Sequence, residues 1–197
     1  MLRPSVRLCV TVCTVALAAA CSEPPHKEMN RAQGAIDAAR AAGAEQYAPE
    51  PFAQATTALR ESHEAVAQRD YRLALSRAVD ASERAQEAAK QAADGTAKAR
   101  SEAELALNAA NVALMQLDAR LKTAESARVQ PRALTAARQT ARDAATALQK
   151  ARTSLNTGQY RQATAAVAGL QDRIRAQISA VDEATAVRTG RRVLRRG

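Results

Sequence analysis

Residues 71–121 read YRLALSRAVD ASERAQEAAK QAADGTAKAR SEAELALNAA NVALMQLDAR L. Tyr71, Ala74, Ala78, Ala81, Ala85, Ala88 and Ala92 recur at alternating steps of three and four, which puts them on one face of an α-helix. The face is almost wholly alanine. Alanine buries little area, so its use at every seam position implies close backbone approach rather than bulk. Asp94-Gly95-Thr96 offers a place to break the helix. The apolar phase nevertheless resumes at Ala99 and Ala103 after one four-residue slip, and continues through Leu107, Ala110, Leu114, Leu117 and Leu121. One continuous helix to about Ala127 is the favoured reading, with a break at Gly95 as the alternative. At 1.5 Å per residue its length is about 85 Å.

The flanking sequence repeats the theme. Met29, Ala32, Ile36 and Ala39 mark a first helix from about Glu28 to Ala42, with Gly43 as its C′ residue. Ala48 and Glu50 each precede a proline and are expected to avoid the α region. Pro51 suits the first turn of a second helix, which carries Phe52, Ala55, Leu59 and Val66 and ends near Arg69-Asp70. Pro131 opens a fourth helix. Leu134, Ala141, Leu148 and Leu155 recur every seven residues there, with Ala137, Ala144 and Ala151 between them. Asn156-Thr157-Gly158 ends it. A fifth helix carries Tyr160, Ala163, Val167, Leu170, Ile174, Ile178 and Val181. The tail from Arg188 is expected to fray.

Composition agrees with helices throughout. Alanine fills 51 of 197 positions, while glycine (7) and proline (6) are scarce. Alanine, Glu, Gln and Arg favour helix, and few β-branched or turn residues make a sandwich or barrel a poor fit. An apolar fraction of 47% is ordinary for a folded domain and argues against disorder. With one Phe and no Trp, the core must be Ala, Leu and Val. The expected fold is all-α: elongated antiparallel helical hairpins or a bundle, coiled-coil-like, with one long central helix.

A weak repeat appears at an offset of 89, pairing Leu59 with Leu148, Val66 with Leu155, Tyr71-Arg72 with Tyr160-Arg161, and Ala74 with Ala163. Both copies place a tight turn between apolar helices, Arg69-Asp70-Tyr71 and Gly158-Gln159-Tyr160. The turn is similar to the Gly-Asp-Tyr-x-x-Ala turn of tetratricopeptide hairpins, in which the tyrosine wedges between helices and the alanine lets them approach. The rest of that pattern and its period are missing, so hairpins are implied rather than a tetratricopeptide array.

The N-terminus reads as an export signal over residues 1–20. Arg3 and Arg7 precede an uncharged run from Leu8 to Ser22, about 15 residues, short of the roughly 20 that span a bilayer. Leu17-Ala18-Ala19-Ala20-Cys21 resembles a bacterial lipobox, with Ala18 where Leu is commonest. Ala18-x-Ala20 also suits ordinary signal peptidase, at the same bond. Of three cysteines, Cys9 and Cys13 lie in the signal, so cleavage leaves Cys21 alone as the first residue. No intrachain disulfide is then possible, and acylation removes a thiol that an oxidising compartment would attack. Cys21 is therefore the expected lipidation site. Ser22, rather than Asp, implies the outer membrane by the sorting rule of enteric bacteria. Residues 21–27 form a short tether, followed by helical regions 28–98 and 99–187 and the tail 188–197.

Ala39-Arg40-Ala41-Ala42-Gly43-Ala44-Glu45-Gln46-Tyr47-Ala48-Pro49-Glu50 and Arg69-Asp70-Tyr71-Arg72-Leu73-Ala74 closely resemble the bacterial alanine-rich lipoprotein family catalogued as domain of unknown function 4398, over about residues 28–98. The resemblance implies a lipoprotein. Some of these proteins carry a peptidoglycan-binding domain after the helices. Arg188–Gly197 contains none, so wall binding through such a domain is not implied. The family supplies no reaction and no catalytic residues.

Other chemistry finds little purchase. His26 and His63 are the two histidines, and a metal needs three or four convergent ligands, so no metal, cofactor or catalytic residue is expected and an enzyme is not the reading. Tyr47, Tyr71 and Tyr160 sit at helix junctions and read as wedges, with ligand stacking as the alternative. The net charge of +9 becomes +7 once Arg3 and Arg7 are lost, and Arg outnumbers Lys 24 to 5. Nucleic acid is not the expected partner, because export separates the protein from it and no aromatics interleave with the basic residues. Arg188, Arg191, Arg192, Arg195 and Arg196 concentrate positive charge in the tail, for which an anionic lipid or wall polymer is a plausible counter-surface and solvent an equal alternative. Together these features imply a lipid-anchored protein on the periplasmic face of the outer membrane, a non-enzymatic scaffold or adaptor whose helical faces dock an envelope protein or a second copy. The alternative is a coiled-coil-like spacer whose basic tail touches peptidoglycan or another anionic polymer.

Overall fold

The computed structural model describes residues 23–194, with side chains as far as residue 190. All regular structure among them is helical: α1 (His26–Ala41), α2 (Ala44–Tyr47), α3 (Pro49–Ala67), α4 (Tyr71–Ser126), a 3-10 turn (Pro131–Leu134), α5 (Thr135–Asn156), α6 (Tyr160–Val167) and α7 (Leu170–Leu194). The fold is all-α, made of antiparallel hairpins with one long helix, α4. Two compact units divide between Thr96 and Ala97. α4 runs unbroken through that point and gives residues to each unit.

In the first unit α1, α3 and the beginning of α4 surround a core of small side chains. Met29, Ala32, Ile36 and Ala39 face Phe52, Ala55, Ala58 and Leu59, together with Ala78, Ala81, Ala85, Ala88 and Ala92. All five of these α4 alanines are fully buried. Each methyl contributes roughly 0.8 kcal/mol on burial, so the seam stabilises through close packing of many small contacts. Ser62 and Ser82 are the buried polar residues of this unit, and Ser62 is the more enclosed. Its buried hydroxyl donates to the Ala74 carbonyl at 2.7 Å, which ties α3 to the first turn of α4.

The second unit follows the same plan with larger side chains. Leu107, Leu117 and Leu121 of α4 meet Leu134, Leu148, Val167, Leu170, Ile174 and Val181, with Ala137, Ala144, Ala151 and Ala163 between them. The seven-residue seam that starts in the 3-10 turn and runs along α5 is buried at Leu134 and Leu148 and half-buried at Ala141 and Leu155.

The repeat is reproduced in backbone detail. The Asp70 N–H donates to the Ala65 carbonyl at 2.9 Å, and the Gln159 N–H donates to Ser154 at 2.8 Å. Arg69 donates to Val66 at 2.9 Å, and Gly158 donates to Leu155 at 3.1 Å. Every pair is 89 residues apart. The pivot is left-handed in both, with φ 60° at Arg69 and 75° at Gly158. Arg128 (φ 59°) makes a third such turn, closed by the Val129 N–H on the Ala124 carbonyl at 3.0 Å.

Several boundaries differ from the sequence reading. α1 starts at His26, inside the expected tether, with the Met29 N–H on the Pro25 carbonyl at 3.1 Å. α3 starts at Pro49, so Glu50 is helical although it precedes Pro51. Pro51 lies in the first turn, where N–H groups have no intrahelical partner, so its missing donor costs nothing there. The expected fifth helix is two helices. Ala168 is extended (φ −58°, ψ 131°) and Gly169 is left-handed (φ 66°), yet Val167 and Leu170 are buried on either side. The tail beyond Arg188, expected to fray, is helical as far as Leu194.

Candidate functional site

The stretch Ala39–Glu50 forms the corner between α1 and α3, and packing accounts for its composition. Gly43 takes φ 85°, which reverses the chain after α1. Ala44 and Ala48 are buried. Arg40 clamps the corner: its Nε is 3.0 Å from Glu45 Oε1, its Nη1 is 2.9 Å from Asp37 Oδ1, and its guanidinium lies 5.4 Å from the Phe52 ring centre. The hydrogen bond to Glu45 is the main cause that raises the Arg40 pKa above its ordinary value, so the group stays charged.

Tyr47 is half-buried and lies over Gly95 of α4. A β-carbon on Gly95 would come within 3.0 Å of Tyr47 Cβ and 3.4 Å of its carbonyl oxygen. The glycine that could have broken α4 instead clears space for this tyrosine. Tyr71 is the first residue of α4 and Tyr160 the first of α6, both half-buried, and Tyr160 packs against the second core. Tyr160 also contributes to raising the pKa of Arg100, behind the larger effect of a hydrogen bond to Glu104. The three tyrosines lie at three separate helix junctions and do not converge on one ligand site.

His26 and His63 are exposed, and the described residues hold no group of three His, Cys, Asp or Glu side chains able to share a metal. A groove between α3 and α4 is lined by Glu61, Arg77, Asp80, Arg84 and Gln54. Both arginines are paired: Arg77 Nε is 3.2 Å from Glu61, Arg84 Nε is 2.8 Å from Asp80, and Arg84 Nη1 donates to Gln54 at 2.5 Å, while Glu50, which also lines the groove, leaves one acid in excess. Near the end of α7, an open hollow is lined by Val129, Ala133, Ala184 and Val187 together with Glu183 and Arg188.

Arg188 is exposed, and positions 191 and 192 lie on the same helix three and four residues further on, so the three share one side of α7. Cys21, Arg195 and Arg196 lie outside the described residues. Besides Leu73, Leu75 and Val79 near the start of α4, sequence reasoning missed three further outward apolar residues of that helix, Leu105, Val112 and Met115, which are exposed by 68%, 45% and 64%. Their signal was the seven-residue step from Leu105 to Val112 on the side opposite the core seam. The chain matches no family model, no curated protein and no solved structure.

Proposed function

We propose that this protein is a lipid-anchored component of the bacterial cell envelope, held through Cys21 at the periplasmic face of the outer membrane, and that it acts as a scaffold or adaptor through its helical faces. The observation that carries the reading is the run Leu8–Ser22, an apolar stretch ending in Ala18-Ala19-Ala20-Cys21, after which the chain has no further cysteine. No helix of the described residues is long and apolar enough to cross a membrane. Both unit interiors are filled by apolar side chains, mainly Ala, Leu, Ile and Val with Met29 and Phe52 in the first, and the grooves are open, so the surfaces on offer are helix faces. Substituting Cys21→Ser is expected to abolish fatty-acid labelling and to move the chain out of the membrane fraction. Persistent labelling, or an unchanged membrane fraction, would contradict the anchor.

A second reading rests on the continuation of α7, which sets Arg188, Arg191 and Arg192 along one side of a helix. Such a basic ridge suits an anionic envelope polymer or lipid. Arg188→Gln, Arg191→Gln and Arg192→Gln together should weaken binding to anionic vesicles and flatten its salt dependence. Equal binding by the triple variant would remove this role.

A further inference from the structure

We propose that the outward face of α4 between Ser101 and Lys122 is a self-association surface, on which a second copy of this chain docks antiparallel with Val112 at the twofold axis. The proposal rests on the adaptor reading in taking helix faces as the working surfaces, and deepens it by naming one partner.

The core-facing positions of this segment are Ala103, Leu107, Ala110, Leu117 and Leu121. At about 100° per residue, Leu105, Asn108, Val112, Met115 and Ala119 fall on the opposite side of the helix. Leu105 and Met115 are among the most exposed large apolar side chains described, and Val112 lies between them. Steps of three and four along this stripe are those of a coiled-coil seam, with Asn108 as a polar register residue. The core of the unit leaves this stripe uncovered.

The charges beside the stripe select the occupant. Glu102 and Arg120 lie along one edge, Glu104 and Lys122 along the other, and all four are exposed. The midpoint of 102 and 120 is position 111, and that of 104 and 122 is position 113, so both pairs centre on Val112. A twofold axis between antiparallel helices keeps each edge on its own side and reverses its direction. It therefore sets Glu102 against Arg120 of the second copy and Glu104 against Lys122 of the second copy, while Leu105 meets Ala119 and Val112 meets itself. A parallel pair would oppose like charges at every one of these positions. The acids and Arg120 already have partners within the chain: Lys98–Glu102 at 4.0 Å, Arg100–Glu104 at 2.8 Å and Arg120–Asp182 at 3.6 Å. Exposed pairs of this kind are weak, so they exchange readily for intermolecular ones.

The test uses two full-length copies with different tags, produced together and purified through one tag. Wild-type copies should co-purify. The variant Glu102→Arg with Glu104→Arg should no longer pair with itself, nor should Arg120→Glu with Lys122→Glu. The two variants produced together should pair again, and that recovery also shows that both are folded. As a second measurement, oxidation of Val112→Cys should give a disulfide-linked dimer beyond the wild-type background, because this position meets its own copy. Wild-type copies that fail to co-purify, reversed variants that still pair with themselves, a mixture that does not recover, or a Val112→Cys chain with no added dimer would each overturn the proposal. The adaptor reading would survive that failure, since it stands on Cys21 and on the other helix faces.

Discussion

Two glycines show how little a residue's identity says without its neighbours. Gly95 lies in mid-helix and Gly169 ends a helix, and helix propensity disfavours both by a similar amount. The difference is in what surrounds them. Gly95 is covered by Tyr47, so the missing β-carbon is a packing requirement, whereas Gly169 adopts a left-handed φ of 66°. A β-carbon added to Gly34, in α1, would meet nothing within 4 Å. Gly34→Ala should therefore raise thermal stability by up to about 1 kcal/mol, through helix propensity alone. Gly95→Ala gains the same propensity but drives a methyl against the Cβ and backbone of Tyr47, and should lower stability by about 1 kcal/mol or more. Paired melting curves check both signs. A stabilising Gly95→Ala would mean that Tyr47 does not hold its place against α4.

At the level of elements, the apolar phase was a good guide to existence and a poor one to breaks. The seam of α4 crosses Asp94-Gly95-Thr96 with one slip, and the helix is continuous there. The seam from Tyr160 keeps its three-four steps across Ala168-Gly169, yet the helix breaks there, because Val167 and Leu170 stay buried on either side of the break. Periodicity reports which side chains face the core, and it is silent when a break preserves that facing. Glu50 also departed from expectation: the steric preference of a residue before proline is overridden there, and Pro51 in the first turn forfeits no intrahelical hydrogen bond. The same helix, α4, also joins two kinds of core. Its buried apolar residues are alanines from Ala74 to Ala92, whereas Leu107, Leu117 and Leu121 join them beyond Ala103. Burying each leucine contributes roughly 1.5–3 kcal/mol. Amide hydrogen exchange should therefore be faster over 74–92 than over 103–124 within one unbroken helix. Uniform protection along α4 would show that it opens as a single cooperative unit.

For the whole molecule, the helical architecture was legible because alanine content, scarce glycine and proline, and a three-four apolar phase all pointed the same way. The proposed docking surfaces were less legible. A stripe such as Leu105, Val112 and Met115 has the same periodicity as a core seam, and only the fold tells which of two apolar faces is covered. The three junction tyrosines were visible as residues, but the partner of Tyr47, Gly95, is 48 positions away and no local pattern links them. The proposed attachment of the molecule to a membrane rests on Cys21. The most direct measurement is the intact mass of the chain extracted from membranes, with fragmentation of its first residues. The account predicts a chain that begins at Cys21 and carries a diacylglyceryl thioether there. A chain that retains residues 1–20, or one that begins at Cys21 with an unmodified thiol, would contradict it.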